Sequence, residues 1–280
     1  MEKAIKRYFP IFVLPTMIAF TLGFIIPFVE GVYLSFCKFT TVNDAKFIGF
    51  ANYAKVFADE TFVHAFWYTA AFTVVSVILI NVLAFAVALL LTKGFKGTNI
   101  FRTVFFMPNL IGGIVLGYIW QLLLNGILMK FSRTLTYSST YGFWGLIILM
   151  CWQQIGYMMI IYIAGIQNIP GELIEAAEID GATKWQILKK VTIPMVMPSI
   201  TVCTFLTLTN SFKLFDQNLA LTNGEPSKMS EMLALNIFNT FYGRTGYEGV
   251  GQAKAVIFFI LVTVIALTQH YLTRRKEVQQ

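Results

Sequence analysis

Six long stretches of the chain are apolar with few charges inside them: 11–36, 65–92, 103–129, 141–167, 196–221 and 251–272. A helix rising 1.5 Å per residue needs about 20 apolar residues to cross about 30 Å of hydrocarbon. Each stretch is long enough, so the pattern predicts six membrane helices. Pro27 and Pro108 fall inside two of them. Proline is tolerated there when neighbouring helices take up the freed carbonyl, and kinks are expected at both. The segment 168–194 breaks the pattern. It mixes charges with short apolar runs and reads as two short helices with a break. Pro170 suits a first helical turn, with Glu172 and Glu175 near the positive end of the helix dipole. Leu173, Ala176, Ala177 and Asp180 share a face by spacing. Gly181 is suited to the left-handed conformation that ends a helix. A second piece runs from 183 to about 191, and Pro194 is expected to stop it.

Composition says what kind of solvent this pattern is built for. Of the 280 residues, 57% are hydrophobic and 12% charged, and 27 are Phe. A soluble globule could not cover that much apolar surface with so few charges, and disordered chains are polar and poor in aromatics. The chain reads as an integral membrane protein. The apolar stretch at 9–36 is too long for a signal-peptide core of roughly 7–15 residues, so it is expected to stay as the first span.

The basic residues orient the spans. Lys3, Lys6 and Arg7, then Lys93, Lys96 and Arg102, then Lys184, Lys189 and Lys190, then Arg274, Arg275 and Lys276 cluster at helix ends on one side. The other side has fewer, more scattered basic residues. By the positive-inside rule the clustered side is cytoplasmic. The termini, 1–10 and 273–280, and the loop 168–194 are therefore expected in the cytoplasm, flanking a membrane domain at 11–272.

Little points to catalysis. Cys37, Cys151 and Cys203 lack metal or redox spacing, and His64 and His270 belong to no ligand motif. No acid–base pair or Ser/His/Asp set stands out. Gly94-Phe95-Lys96-Gly97 is glycine-rich but lacks the spacing and the Lys-Ser/Thr ending of a P-loop. Any ATP-derived energy must come from another chain. No metal or cofactor is expected on this one.

The polar residues inside spans are candidates for a solute path. Gln153, Gln154 and Tyr157 lie in mid-span four beside Trp152, with Gln153 and Tyr157 on one face. Thr207, Asn210 and Ser211 share a face of span five, and Gln121 and Asn125 share one in span three. Amides, hydroxyls and aromatic faces suit a sugar ring, and transporter sites lie near mid-depth. The alternative is interhelical hydrogen bonding, worth about 0.6 kcal/mol each on average. No basic cluster is present there, so a neutral saccharide fits better than a strongly anionic solute. Lys213 and Asp216, three apart, could pair on a helix face and would be the ionisable groups of an ion-coupled secondary transporter.

The loop argues for a different device. The alanines allow close approach, Glu175 offers a carboxylate to a basic partner and Trp185 an apolar anchor. Three glutamates in the first helix disfavour docking on an anionic leaflet.

Glu175-Ala176-Ala177, Asp180-Gly181-Ala182, Ile193-Pro194 and Pro198 resemble the EAA loop of ABC-importer permeases. Gly49-Phe50-Ala51-Asn52-Tyr53, Arg102-Thr103 with Pro108, and Leu221-Thr222-Asn223-Gly224-Glu225-Pro226 resemble further motifs of the carbohydrate branch, the maltose- and glycerol-phosphate-type permeases. The resemblance implies an all-α, six-span type-I importer permease fold in the cell membrane, with an EAA coupling helix carrying Glu175, Ala176, Ala177, Asp180, Gly181, Trp185 and Pro194. It implies sugar import with a second, similar permease, two ATPase subunits holding ATP and Mg, and an external sugar-binding protein. It also implies substrate contact most directly at Tyr157, Thr207 and Ser211.

The topology is testable. On a background lacking the three native cysteines, a cysteine placed at Lys184 should resist an impermeant thiol reagent in intact cells and react after lysis. Labelling from outside would invert the assignment.

Overall fold

The computed structural model describes residues 2–94 and 96–274. The tail expected at 273–280 lies outside these residues from 275 on, with Arg275 and Lys276. The side chains of 2–8, including Lys3, Lys6 and Arg7, and those of 10, 270, 273 and 274 also lie outside the description.

The first span is α1 (Glu2–Phe20), a π-helical turn (Thr21–Ile25) and α2 (Ile26–Leu34). A small antiparallel hairpin follows, β1 (Cys37–Lys38) and β2 (Lys46–Phe47), with Cys37 opposite Phe47. Then come α3 (Ala51–Phe57), α4 (Glu60–Leu91), α5 (Thr98–Phe106), α6 (Gly113–Leu128) and α7 (Ser139–Gln167). The loop holds α8 (Gly171–Ile179), α9 (Lys184–Ile187), a second π turn (Leu188–Thr192) and α10 (Ile193–Met195). The chain continues as α11 (Met197–Phe212), α12 (Asp216–Leu221), α13 (Leu233–Gly243) and α14 (Glu248–Arg274).

Among the described residues five helical runs are long and apolar enough to cross a membrane: Ile11–Leu34, Glu60–Leu91, Gly113–Phe131, Ser139–Gln167 and Glu248–Gln269. A sixth is formed if the bent pair Lys184–Met195 and Met197–Phe212, at 69°, counts as one span.

Three boundaries differ from expectation, each for a local reason. Span three begins at Gly113 rather than 103. Around Pro108 the chain is a 3-10 turn, Met107–Leu110, and Gly112 is extended, so the expected kink is a full break. Span five ends at Phe212. Lys213 caps it, and α12 starts afresh at Asp216, so 196–221 is not one helix. Pro194 does not stop the loop helix, which runs through it to Met195. A proline ring crowds the preceding turn and supplies no N–H. Both π turns end two residues before a proline, at Pro27 and at Pro194, and a widened turn relieves that crowding.

The chain divides into two compact units. The first comprises 1–60 and 237–260. Here Asn52 is buried and donates to the carbonyls of Ser35 (2.9 Å) and Cys37 (2.8 Å), and the Tyr53 hydroxyl meets Ser35 Oγ at 2.7 Å. These bonds fix the end of the first span against α3. Lys254 is fully buried and bridges Asp59 at 2.7 Å and Thr240 Oγ1 at 2.8 Å.

The second unit comprises 61–236 and 261–280, and α7 is its centre. Leu146, Leu149, Met150, Met158, Met159 and Tyr162 of α7 are all essentially buried. The aliphatic side of α4 (Ile80, Ala84, Ala88) packs into the same core. Small residues bring backbones together, as expected where lipid tails give no hydrophobic drive between helices. A Cβ built on Gly156 would lie 1.8 Å from the Phe105 carbonyl oxygen of α5. Between α6 and α12, one on Gly117 would lie 2.7 Å from the Ala220 Cβ. Asn218 in α12 ties down the following loop. It donates to Thr222 Oγ1 (3.1 Å) and the Ser230 carbonyl (2.8 Å), and accepts from the Met232 N–H (2.9 Å).

Gly156→Ala should therefore push α5 off α7 and destabilise the unit by about 1–3 kcal/mol, the usual range for overpacking. Gly171→Ala, where an added Cβ meets nothing within 4 Å, should be near neutral. Thermal unfolding of the purified membrane complex compares the two.

Candidate functional site

The break between α11 and α12 opens a cleft of about 270 Å³. Gln154 of α7 and Asn210 of α11 line it with Lys213, Asp216 and Gln217. Gln154 is 8% exposed, and its Oε1 is buried without a hydrogen-bond partner. An unpartnered buried amide oxygen is costly, so this one is poised for an outside donor. Lys213 and Asp216 bring opposite charges, and no ion pair joins them among the described residues. The helix break separates them, so they do not share the helix face expected from their spacing. The balance of one cation, one anion and amides suits hydroxyl-rich neutral solutes.

The other expected path residues divide. Gln153 is buried and committed. Its Nε2 donates to the Ile111 carbonyl at 3.3 Å, and its Oε1 accepts from Gln217 Nε2 at 2.8 Å, so it holds one wall of the cleft. Tyr157 is half-buried beside Phe106, ring centroids 6.4 Å apart, and does not line the cleft. Ser211 is fully buried with an unpartnered Oγ. Thr207 is fully buried and occupied: its hydroxyl donates to the Cys203 carbonyl (2.8 Å) and accepts from Asn81 Nδ2 (2.9 Å). Asn81 Oδ1 in turn accepts from the Tyr162 hydroxyl at 2.6 Å. The Thr207 hydroxyl thus bonds α11 to α4, and through Asn81 to α7, instead of facing a path. In hydrocarbon a hydroxyl that finds a protein partner is held by it. Gln121 and Asn125 are likewise structural, bonded to the Leu221 carbonyl (3.1 Å) and the Leu135 N–H (2.8 Å).

Asn81, Tyr162, Gln217 and Asn218 were not expected to matter. Asn81 had a signal in the sequence, as the single amide side chain of α4.

The loop 168–194 forms a rigid corner. At the end of α8 the Gly181 N–H reaches the Glu178 carbonyl (3.0 Å) and the Ala182 N–H the Ala177 carbonyl (2.9 Å), with Gly181 at φ +75°. This is the Schellman arrangement. Two residues later Thr183 caps α9, in a reciprocal box with Gln186. The apolar face differs from expectation: Ala177 is half-buried with Ile174, which packs on the core, while Leu173, Ala176 and Asp180 stay exposed. Glu175 is exposed, one turn from Ile179, which is 86% exposed. Trp185 is 68% exposed, and Pro194 is half-buried in the run leading to α11.

This architecture has known relatives. Residues 80–278 match the family of binding-protein-dependent transport system inner membrane components. Over 96% of this chain and 94% of the relative, it is 42% identical to a probable starch degradation products transport system permease protein, AmyD, from Thermoanaerobacterium thermosulfurigenes. It is 28% identical to the trehalose/maltose transport system permease protein MalF of Thermococcus litoralis, over 89% of this chain and 88% of that one. A crystal structure of a bacterial ABC transporter involved in import of the acidic polysaccharide alginate superposes at a TM-score of 0.82, with 23% identity and 98% of both chains covered.

The chain thus has the fold of ABC importer permeases. It belongs to the binding-protein-dependent transport system inner membrane components: a multi-pass membrane transport subunit, not an enzyme. This membership sets aside the ion-coupled carrier.

The site makes a two-sided prediction. Thr207→Val should destabilise the complex by about 0.6 kcal/mol or somewhat more, because it removes an interhelical bond. Gln154→Leu removes no bond, so it should leave stability near wild type while raising the KM for the transported solute. Melting curves set beside uptake kinetics separate the two. Equal loss of stability in both would show that Gln154 is packing.

Proposed function

We propose that this chain is the permease subunit of an ATP-driven importer of neutral sugars, mono- or oligosaccharides, in the cytoplasmic membrane. The observation that carries the reading is the 42% identity, over nearly the whole chain, to a permease named for starch degradation products. The cleft chemistry supports it: Gln154 and Asn210 offer amide groups to sugar hydroxyls, and Lys213 and Asp216 leave no net charge.

The termini and the loop 168–194 lie on the cytoplasmic side, and the cleft lies at the end of α11 remote from that loop. A second, similar permease completes the path, most simply as a heterodimer. A sugar-binding protein delivers the solute, and two ATPase subunits hold ATP and Mg.

Coupling runs through the corner at Gly181. Glu175, Ala176, Ile179 and Trp185 form the surface that docks on the ATPase. Schellman closure and capping box together fix the angle between α8 and α9, so a push on one moves both. The helical run through Pro194 passes that motion to α11, whose far end carries Asn210. Thr207 and Asn81 keep α11 in step with α4 and α7.

Cells lacking the chain should fail to accumulate labelled malto-oligosaccharide and regain uptake when it is restored. Trp185→Ala should weaken ATPase retention by about 2 kcal/mol, as loss of an exposed aromatic anchor does. Gly181→Val meets no clash, since nothing lies within 4 Å of an added Cβ. It forces a branched side chain into left-handed backbone at a cost of about 1–2 kcal/mol and should uncouple ATP hydrolysis from uptake. Normal uptake and full ATPase retention in both variants would overturn the coupling role.

A further inference from the structure

Two clefts of the second unit meet at one arginine. A polar cleft of about 350 Å³ lies between Thr92 at the end of α4, the turn at Gly94 and Gly97, and Asn99. A second cleft of about 350 Å³ is largely apolar, with Phe106, Ile160, Ile163 and Ala164 in its walls. Arg102 and Gln167 line both. Gln167 is the last residue of α7, and Ile160 lies seven residues, about 10 Å, deeper along it. The joined clefts therefore grade from polar at the membrane edge to apolar further in.

Among the described residues nothing answers the arginine. Its Nε is buried and has no hydrogen-bond partner. Lys93 and Lys96 are exposed in the same turn, and 92–112 contains no Asp or Glu. The helix that carries Arg102 also turns Ile100, Val104 and Phe105 outward, as an interfacial helix does.

We propose that Arg102 binds the phosphate of an anionic phospholipid, with one acyl chain lying along Phe106, Ile160, Ile163 and Ala164. A guanidinium matches phosphate through paired, charge-assisted N–H bonds, and basic recesses between membrane helices suit such headgroups. A soluble anion would fill the polar half alone and leave the apolar groove without an occupant. The lipid belongs to the leaflet on the side of loop 168–194. Naming that leaflet the inner one rests on the topology proposed above, but the site itself does not.

The test uses the assembled transporter in nanodiscs of phosphatidylcholine with and without phosphatidylglycerol, where both leaflets carry the probe and sidedness has no influence. Phosphatidylglycerol retained per complex is read by native mass spectrometry. Arg102→Gln should weaken retention about tenfold, the loss of a hydrogen bond to a charged group. Ala164→Phe, which fills the apolar cleft and leaves the guanidinium intact, should also displace the lipid. Lys130→Gln, on an exposed turn elsewhere, should retain it as wild type does. Wild-type retention in Arg102→Gln would overturn the proposal, as would wild-type retention in Ala164→Phe. Displacement of the lipid by inorganic phosphate would overturn it too, by assigning the site to a free anion. Sugar uptake is not read, so failure here leaves the transport function untouched.

Discussion

Hydrocarbon offers no hydrogen bonds, so every polar group a membrane helix carries has to find its partner in the protein. In the second unit this constraint converges on α7. Its glycines admit the neighbouring backbones, most closely where the Phe105 carbonyl sits against Gly156. Its Tyr162 closes a chain of bonds through Asn81 to Thr207, and its Gln153 closes another through Gln217. With those groups committed, Gln154 is left with an amide oxygen that nothing among the described residues satisfies. Of the buried polar atoms without a partner among the described residues, it is the one that lines the cleft.

Breaks in the helices matter as much as the helices. The stop at Phe212 and restart at Asp216 open the cleft, and the break around Pro108 lets Gly113 come up against Asp216. Where the chain must stay continuous across a proline, it widens into a π turn instead. At Pro194 this carries the helix through the proline to Met195, and a 69° bend at Val196 then leads into α11. The same chemistry at two prolines thus gives opposite results, and the flanking residues decide: Gly112 follows Pro108 in extended backbone, whereas helical residues flank Pro194.

The corner at Gly181 is stiff because two end-capping devices are placed almost back to back. Schellman closure satisfies the last carbonyls of α8, and the Thr183–Gln186 box satisfies the first N–H groups of α9. The apolar side chains Ile179 and Trp185 are left exposed on either side of this corner.

The sequence by itself determined that this is a polytopic α-helical membrane protein, where four of its spans lie to within about five residues, and that 168–194 is a two-helix insert broken at Gly181. Length, apolarity and glycine's backbone freedom are local properties, and each can be read without knowing the neighbours. The motif Gly49-Phe50-Ala51-Asn52-Tyr53 was visible too, but not that Asn52 clamps the end of the first span. Tertiary structure alone decided which polar residues face a cleft. Thr207, Asn210 and Ser211 share one helix face in the sequence, yet Thr207 is taken by Asn81, Ser211 is enclosed and only Asn210 lines the opening. Helical spacing fixes direction around one axis. Whether the group met there is an amide, a packed methyl or open space depends on chains far away in sequence, and no local pattern encodes that.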